Sequence, residues 1–211
     1  MLKELLDGLA GMAPPQRAAA AQAIMEGTKN MRFVPLPGPQ TDAYRCQADV
    51  LLYGGSAGSA KSALLIGLAV NEHARSIIFR RESSQTDGLE AFSKEVIGST
   101  ASYNGTDHEW SWADGRTLKL AGMKEPGDWS KHAGRERDFI GFDEGAEFLE
   151  SQVSSMLAWL RAEPGRRCRV VLASNPPRST EGAWMIEWFA PWLDPKHPNP
   201  AAPGELRWCL M

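Results

Sequence analysis

At 211 residues, 43% of them hydrophobic and 23% charged, the chain carries enough apolar surface for one globular domain with short appendages, which excludes a disordered or fibrous chain. A formal net charge of -3 excludes a global positive field, so contact with nucleic acid has to come from local patches or from assembly around the polymer. Three widely spaced cysteines, Cys46, Cys168 and Cys209, and four histidines without ligand spacing argue against a disulfide framework and against zinc.

The opening "MLKELLDGLA" interrupts its leucines with Lys3, Glu4 and Asp7, so it lacks the basic start and unbroken apolar run of a signal peptide. No stretch reaches membrane-spanning length, and a soluble, intracellular protein is expected. Leu2, Leu5, Leu6 and Leu9 fall at helical spacing; "PPQRAAAAQAIMEG" follows with prolines at a helix start and Gly27 as a stop. Residues 1–33 thus form a helical lead-in, whose leucine stripe either packs on the main domain or serves as a partner-binding arm.

"VPLPGPQ", Val34 to Gln40, is a proline-rich linker, after which an α/β pattern begins. Asp49 to Tyr53 is a short apolar strand, a glycine-rich loop follows, and Ser62 to Arg75 reads as helix. "SIIFRR" is a second strand and "GLEAFSKEVIG" a second helix, while "EWSWADGRTLKL" alternates about Asp114-Gly115 as a hairpin does. "DFIGFDE" and "RCRVVLASNPP" are buried strands flanking the helix "SQVSSMLAWLRA". Strands separated by helices predict an α/β fold with a mainly parallel sheet, covering residues 34–190, that binds nucleotide at the carboxyl ends of its strands. Residues 191–211 hold too many prolines to extend a helix and read as an ordered crossing or a linker.

The loop Gly55-Ser56-Ala57-Gly58-Ser59-Ala60-Lys61-Ser62 has the parts of a phosphate-binding loop. Main-chain N–H groups and a helix N-terminus cradle the anion, Lys61 reaches the outer phosphates, and the Ser62 hydroxyl ligates Mg2+. Ala60 stands where the pattern G-x-x-x-x-G-K-S/T has glycine; a methyl there costs little at negative φ and about 1–2 kcal/mol at positive φ. "DFIGFDE" supplies the second half, with Asp143 for the metal and its water and Glu144 to polarise the water that attacks the γ-phosphate of ATP. The same acidic pair can also serve as a helix N-cap before "GAEFLESQV".

Between Val34 and Trp208 the chain resembles the ATPase domain of the large terminase subunit, the DNA-packaging motor of tailed bacteriophages, a P-loop NTPase of the RecA/ASCE type. The resemblance is carried by "PGPQ", "LLYGGSAGSAKS", "IIFRR", the Trp/Asp-Gly hairpin, "HAGRERDFIGFDEGAEF", "LRAEPGRRCRVVLASNPP" and "FAPWLDPKHPNPAAPGELRW". It implies an adenine contact for Gln40, which is otherwise a turn residue, and a coupling role for Ser174 and Asn175, otherwise a turn before two prolines. It also implies an arginine that stabilises transition-state charge, for which Arg80, Arg81 and Arg161 are candidates alongside the plainer reading of solvated or ion-paired arginines. Double-stranded DNA, a portal protein, a small terminase subunit, a homo-oligomeric ring and the cytoplasm of an infected bacterium follow as expected partners and place. The family's ribonuclease H-like nuclease domain has no acidic cluster to match it here, and cleavage of DNA is not expected of this chain. The basic stretches "RAEPGRRCR" and "KHAGRER" either touch a DNA backbone or face solvent, and Trp110 and Trp112 are expected to pack on the hairpin. Two other functions compete: a docking module whose loop is degenerate at Ala60, and a P-loop small-molecule kinase.

Overall fold

The computed structural model describes residues 13–56 and 58–207, so the leucines of the first ten residues, Ala57 and Cys209 lie outside it. A seven-stranded sheet organises the chain, with strands β1 (Val50–Gly54), β2 (Arg75–Arg80), β3 (Ser102–Asn104), β4 (Glu109–Ser111), β5 (Thr117–Gly122), β6 (Phe139–Asp143) and β7 (Arg169–Ser174) in the order β1-β7-β6-β2-β5-β4-β3. The first five in that order run parallel, and β4 and β3 add an antiparallel edge. Seven helices are described: α1 (Pro14–Thr28), α2 (Pro39–Arg45), α3 (Lys61–Asn71), α4 (Asp87–Ile97), α5 (Glu150–Leu157), α6 (Trp184–Trp188) and α7 (Ala190–Leu193).

The period-2 alternation of the strands divides the core into two layers. Ile78, Val171 and Ala173 join Leu64, Leu65 and Leu68 of α3 and Leu89 of α4 in one layer, whereas Ile77, Val170 and Leu172 join Val153 and Met156 of α5 and Trp184 in the other. Every residue from Leu64 to Val70 is buried, as a central helix requires. Gly67 is where Phe33 lies across this helix: a Cβ there would stand 2.0 Å from the ring. Asn71 ties the same segment down, donating to Phe33 O at 2.7 Å and accepting from Arg32 N at 3.0 Å.

Several predicted boundaries move. Helix α3 stops at Asn71 rather than Arg75, because Arg75 already pairs with Thr117 in the sheet. Helix α5 ends at Leu157, and Leu160 instead bridges Arg137. The end of the proline-rich linker is not a linker: Gly38 turns the chain at φ 88°, and Pro39 and Gln40 begin α2. The hairpin forms as expected, with Gly115 N bonded to Trp112 O at 3.0 Å and Trp110 and Trp112 both buried. The proline-rich end is held by its own contacts, Trp192 Nε1 to Glu205 O at 3.0 Å and Arg207 to the carbonyls of Asn199 and Pro200 at 2.7 Å each.

Candidate nucleotide site

Parallel pairing brings four strand ends together. Gly54 pairs with Ser174, Asp143 with Ala173, and Phe79 with Phe142, so Arg80 follows beside Asp143. The loop after β1 thus stands over the ends of β7, β6 and β2, and Gly55 N donates to Ser174 O at 3.2 Å. Gly58 (φ 83°) and Ala60 (φ 52°, ψ 36°) both adopt the left-handed conformation. The costlier alternative for Ala60 is therefore the observed one, at about 1–2 kcal/mol.

The strained residue is held on both sides. Its carbonyl accepts from Leu64 N at 3.1 Å and from Gln40 Nε2 at 2.9 Å, while Gln40 Oε1 accepts from Leu36 N at 2.5 Å. Gln40 is buried, with both ends of its amide engaged. Helix α2 is in turn fastened by the buried Arg169 of β7, which donates to Ala43 O at 2.7 Å and Tyr44 O at 3.1 Å; burial pulls its pKa down to about 10. Sequence reasoning misses Arg169, since nothing local tells a capping arginine from a surface one.

Lys61, 6% exposed, curls over the loop: its Nζ donates to Gly55 O (3.1 Å), Ser56 O (2.8 Å), Ser59 Oγ (3.1 Å) and Asn175 Oδ1 (3.0 Å). Asn175 then donates through Nδ2 to Glu144 Oε2 at 3.0 Å, linking the loop lysine to the acidic strand end. Glu144 is itself left-handed (φ 57°, ψ 52°), a strain that tightly built sites tolerate. It stands at the N-cap of a short 3-10 helix, Gly145–Glu147, but its side chain makes no capping bond there, and α5 begins only at Glu150. Ser174 Oγ accepts from Ala146 N at 3.0 Å and donates to Asn175 O at 2.7 Å, fixing the turn after Glu144.

Ser62 Oγ lies 3.0 and 2.9 Å from the two oxygens of Asp143, which is fully buried. Burial raises the Asp143 pKa, opposed by the positive charge of Arg80 and the Ser62 hydroxyl. A hydroxyl and a carboxylate side by side at a helix start are hard oxygen donors suited to Mg2+. Such an ion takes one or two protein oxygens and completes its shell with phosphate oxygens and water. The site fits that ion, and among the described residues there is no cluster of three or more His, Cys, Asp or Glu to hold a metal elsewhere.

The three candidate arginines part company. Arg80 stands with Nε 2.8 Å from Asp143 Oδ2. Arg81 is a strut: it donates to Glu147 O at 3.2 Å and to Oε1 of the buried Gln152 at 2.9 Å, and Gln152 also bonds Met123 O and Glu125 O. The only signal for Gln152 in the sequence is a lone amide at core spacing with Val153 and Met156. Arg161 is at the other end of the sheet, its main-chain N bonded to Arg137 O, its side chain beside Glu136 and over the Trp159 ring. Two clefts flank Glu144 and Asn175: one of about 400 Å³ over Gly58 to Ala63, and one of about 560 Å³ bounded by Arg80, Arg81, Ser174 and Arg178.

A family model described as "Terminase large subunit, T4likevirus-type, N-terminal" matches residues 57–206. The chain belongs to that terminase family. Among solved structures, the HK97 bacteriophage large terminase superposes with a TM-score of 0.57 at 10% identity, covering 79% of this chain and 38% of that one. The Thermus phage P74-26 large terminase ATPase domain gives 0.52 at 12% identity, covering 77% and 72%. The large terminase of a thermophilic bacteriophage, in complex with ATP-gamma-S, gives 0.50 at 15% identity, covering 67% and 38%. These likenesses show that the chain shares the mainly parallel α/β fold of those large terminases, and it spans about two fifths of the length of the first and third of these proteins. None of the curated proteins matches the chain.

Proposed function

We propose that this terminase domain is a Mg2+-dependent ATPase that drives double-stranded viral DNA into a procapsid. The observation that carries the reading is the continuous set at the strand ends: the loop lysine joined through Asn175 to Glu144, beside the Ser62–Asp143 oxygen pair. The thermophilic phage terminase in complex with ATP-gamma-S is a nucleotide-bound relative of the same fold.

In this mechanism the triphosphate seats on the main-chain N–H groups of residues 58–62, and Lys61 exchanges loop carbonyls for phosphate oxygens. Ser62 Oγ and Asp143 would hold Mg2+, which neutralises charge on the phosphates when bound. Glu144 accepts the proton of the attacking water, and Asn175, bonded to both Lys61 and Glu144, couples arrival of the γ-phosphate to release of that base. Gln40 supports the loop from below through Ala60; an adenine contact would require its amide to leave that bond. DNA, a portal protein, a small terminase subunit and neighbouring copies in a ring are the partners this role requires, in the cytoplasm of an infected bacterium. Among the described residues no helix is long and apolar enough to cross a membrane.

The docking-module reading draws support from one observation, the left-handed Ala60 beneath a lysine already engaged by four acceptors. Membership of the terminase family leaves the kinase reading without support. Phosphate release from ATP, with Glu144→Gln as control, tests the proposal. Turnover in wild type, with binding but no turnover in the variant, is expected; a wild type that neither binds nor hydrolyses ATP, even with DNA and portal present, contradicts it.

A further inference from the structure

Asp143 is satisfied by two side chains, and both can rotate away. The Ser62 hydroxyl spans its two oxygens, and Arg80 supplies the compensating charge. The Arg80 Nε is buried 2.8 Å from Oδ2, a single ion-pair contact whose hydrogen-bond alignment is marginal. Its neighbour Arg81, by contrast, is pinned by two aligned bonds. The Arg80 side chain is 21% exposed and borders the cleft of about 560 Å³ that also touches Glu144, Ser174 and Asn175.

We propose that Arg80 is a resident counter-ion of Asp143 that swings into the cleft beside Glu144 when Ser62 and Asp143 would hold a divalent cation instead. This rests on the reading of the site given above. A divalent cation beside Arg80 would set like charges against each other in a desolvated site, whereas exchanging one for the other keeps the carboxylate compensated throughout. The exchange makes the placement of positive charge beside Glu144 conditional on a seated metal–nucleotide, so Arg80 is delivered where transition-state charge develops only once the site is complete.

The test follows the arginine itself. Nε–H resonances are recorded on 15N-labelled protein, with Arg80 assigned by its loss in Arg80→Lys. Saturating Mg2+ with ATP-gamma-S is expected to shift the Arg80 signal and hasten its exchange with water, while ATP-gamma-S in EDTA leaves it in place. In parallel, Mn2+ titrated without nucleotide and followed by EPR should bind Arg80→Gln roughly tenfold more tightly than wild type, with Arg80→Lys near wild type. An Arg80 signal unmoved at full metal–nucleotide occupancy, or an Arg80→Gln affinity equal to wild type, overturns the exchange and leaves the ATPase reading standing. If wild type shows no Mg2+-dependent nucleotide binding that Asp143→Asn removes, the ATPase reading fails and takes the exchange with it.

Discussion

The two ends of β6 carry two buried aspartates in opposite circumstances. Asp138, just before the strand, accepts from the main-chain N–H groups of Ala74 and Arg75 at 2.7 Å each, with Arg166 at 3.6 Å and His73 at 4.0 Å. Asp143, at the strand's last residue, is as deeply buried but has side-chain neighbours in Ser62 and Arg80. Main-chain donors cannot turn away without unfolding β2, whereas a hydroxyl and a guanidinium can. Burial of a carboxylate is therefore a poor sign of function by itself; what distinguishes Asp143 is that its partners are exchangeable.

The two ends of β6 should differ most in turnover. Glu144→Gln is expected to lower phosphate release by roughly 10²–10⁴ with nucleotide binding kept, and Lys61→Ala to lose binding as well, whereas Asp138→Asn should leave both near wild type. Stability should show the reverse ranking. Asp138→Asn loses an acceptor for a buried N–H and costs about 2–4 kcal/mol in urea unfolding, while Asp143→Asn relieves a desolvated charge and costs about 1 kcal/mol or less.

Acidity sharpens the contrast further. Because burial raises the Asp143 pKa, the folded state holds that proton more tightly than the unfolded chain. The group's contribution to stability is full below the unfolded pKa and is lost as pH rises through the folded one. Metal requires the ionised form, so Mg2+ affinity should fall on acidification from a higher pH than an ordinary carboxylate would give, and pH-dependent Mn2+ titration reads this directly. The smallest expected effect is at the loop: Ala60→Gly relieves left-handed strain but frees the unfolded chain, for a net gain of about 1 kcal/mol or less in urea unfolding.

Much of this is legible from residue order. "GSAGSAKS" after an apolar run announces the loop, and "DFIGFDE" announces an acidic strand end, because both are local patterns of turn, period and charge. The sign of φ at Ala60 is not legible, and neither is the partner of its carbonyl, Gln40, twenty residues earlier in the chain. Arg80, Arg81 and Arg161 look alike in sequence and differ only through partners remote along the chain, Asp143 and Gln152 for the first two and Glu136, at the opposite end of the strands, for the third. The helix overruns have the same origin: Arg75 is claimed by a pairing in the sheet and Leu160 by an isolated bridge to Arg137, neither of which a helical period foretells.

The central claim is that Ser62 and Asp143 hold the metal of a bound nucleoside triphosphate. Calorimetric titration of ATP-gamma-S into wild type and Asp143→Asn, each with Mg2+ and with EDTA, addresses it most directly. Mg2+ is expected to tighten binding to wild type by at least about tenfold and to do nothing for Asp143→Asn. Equal Mg2+ enhancement in both proteins would contradict it.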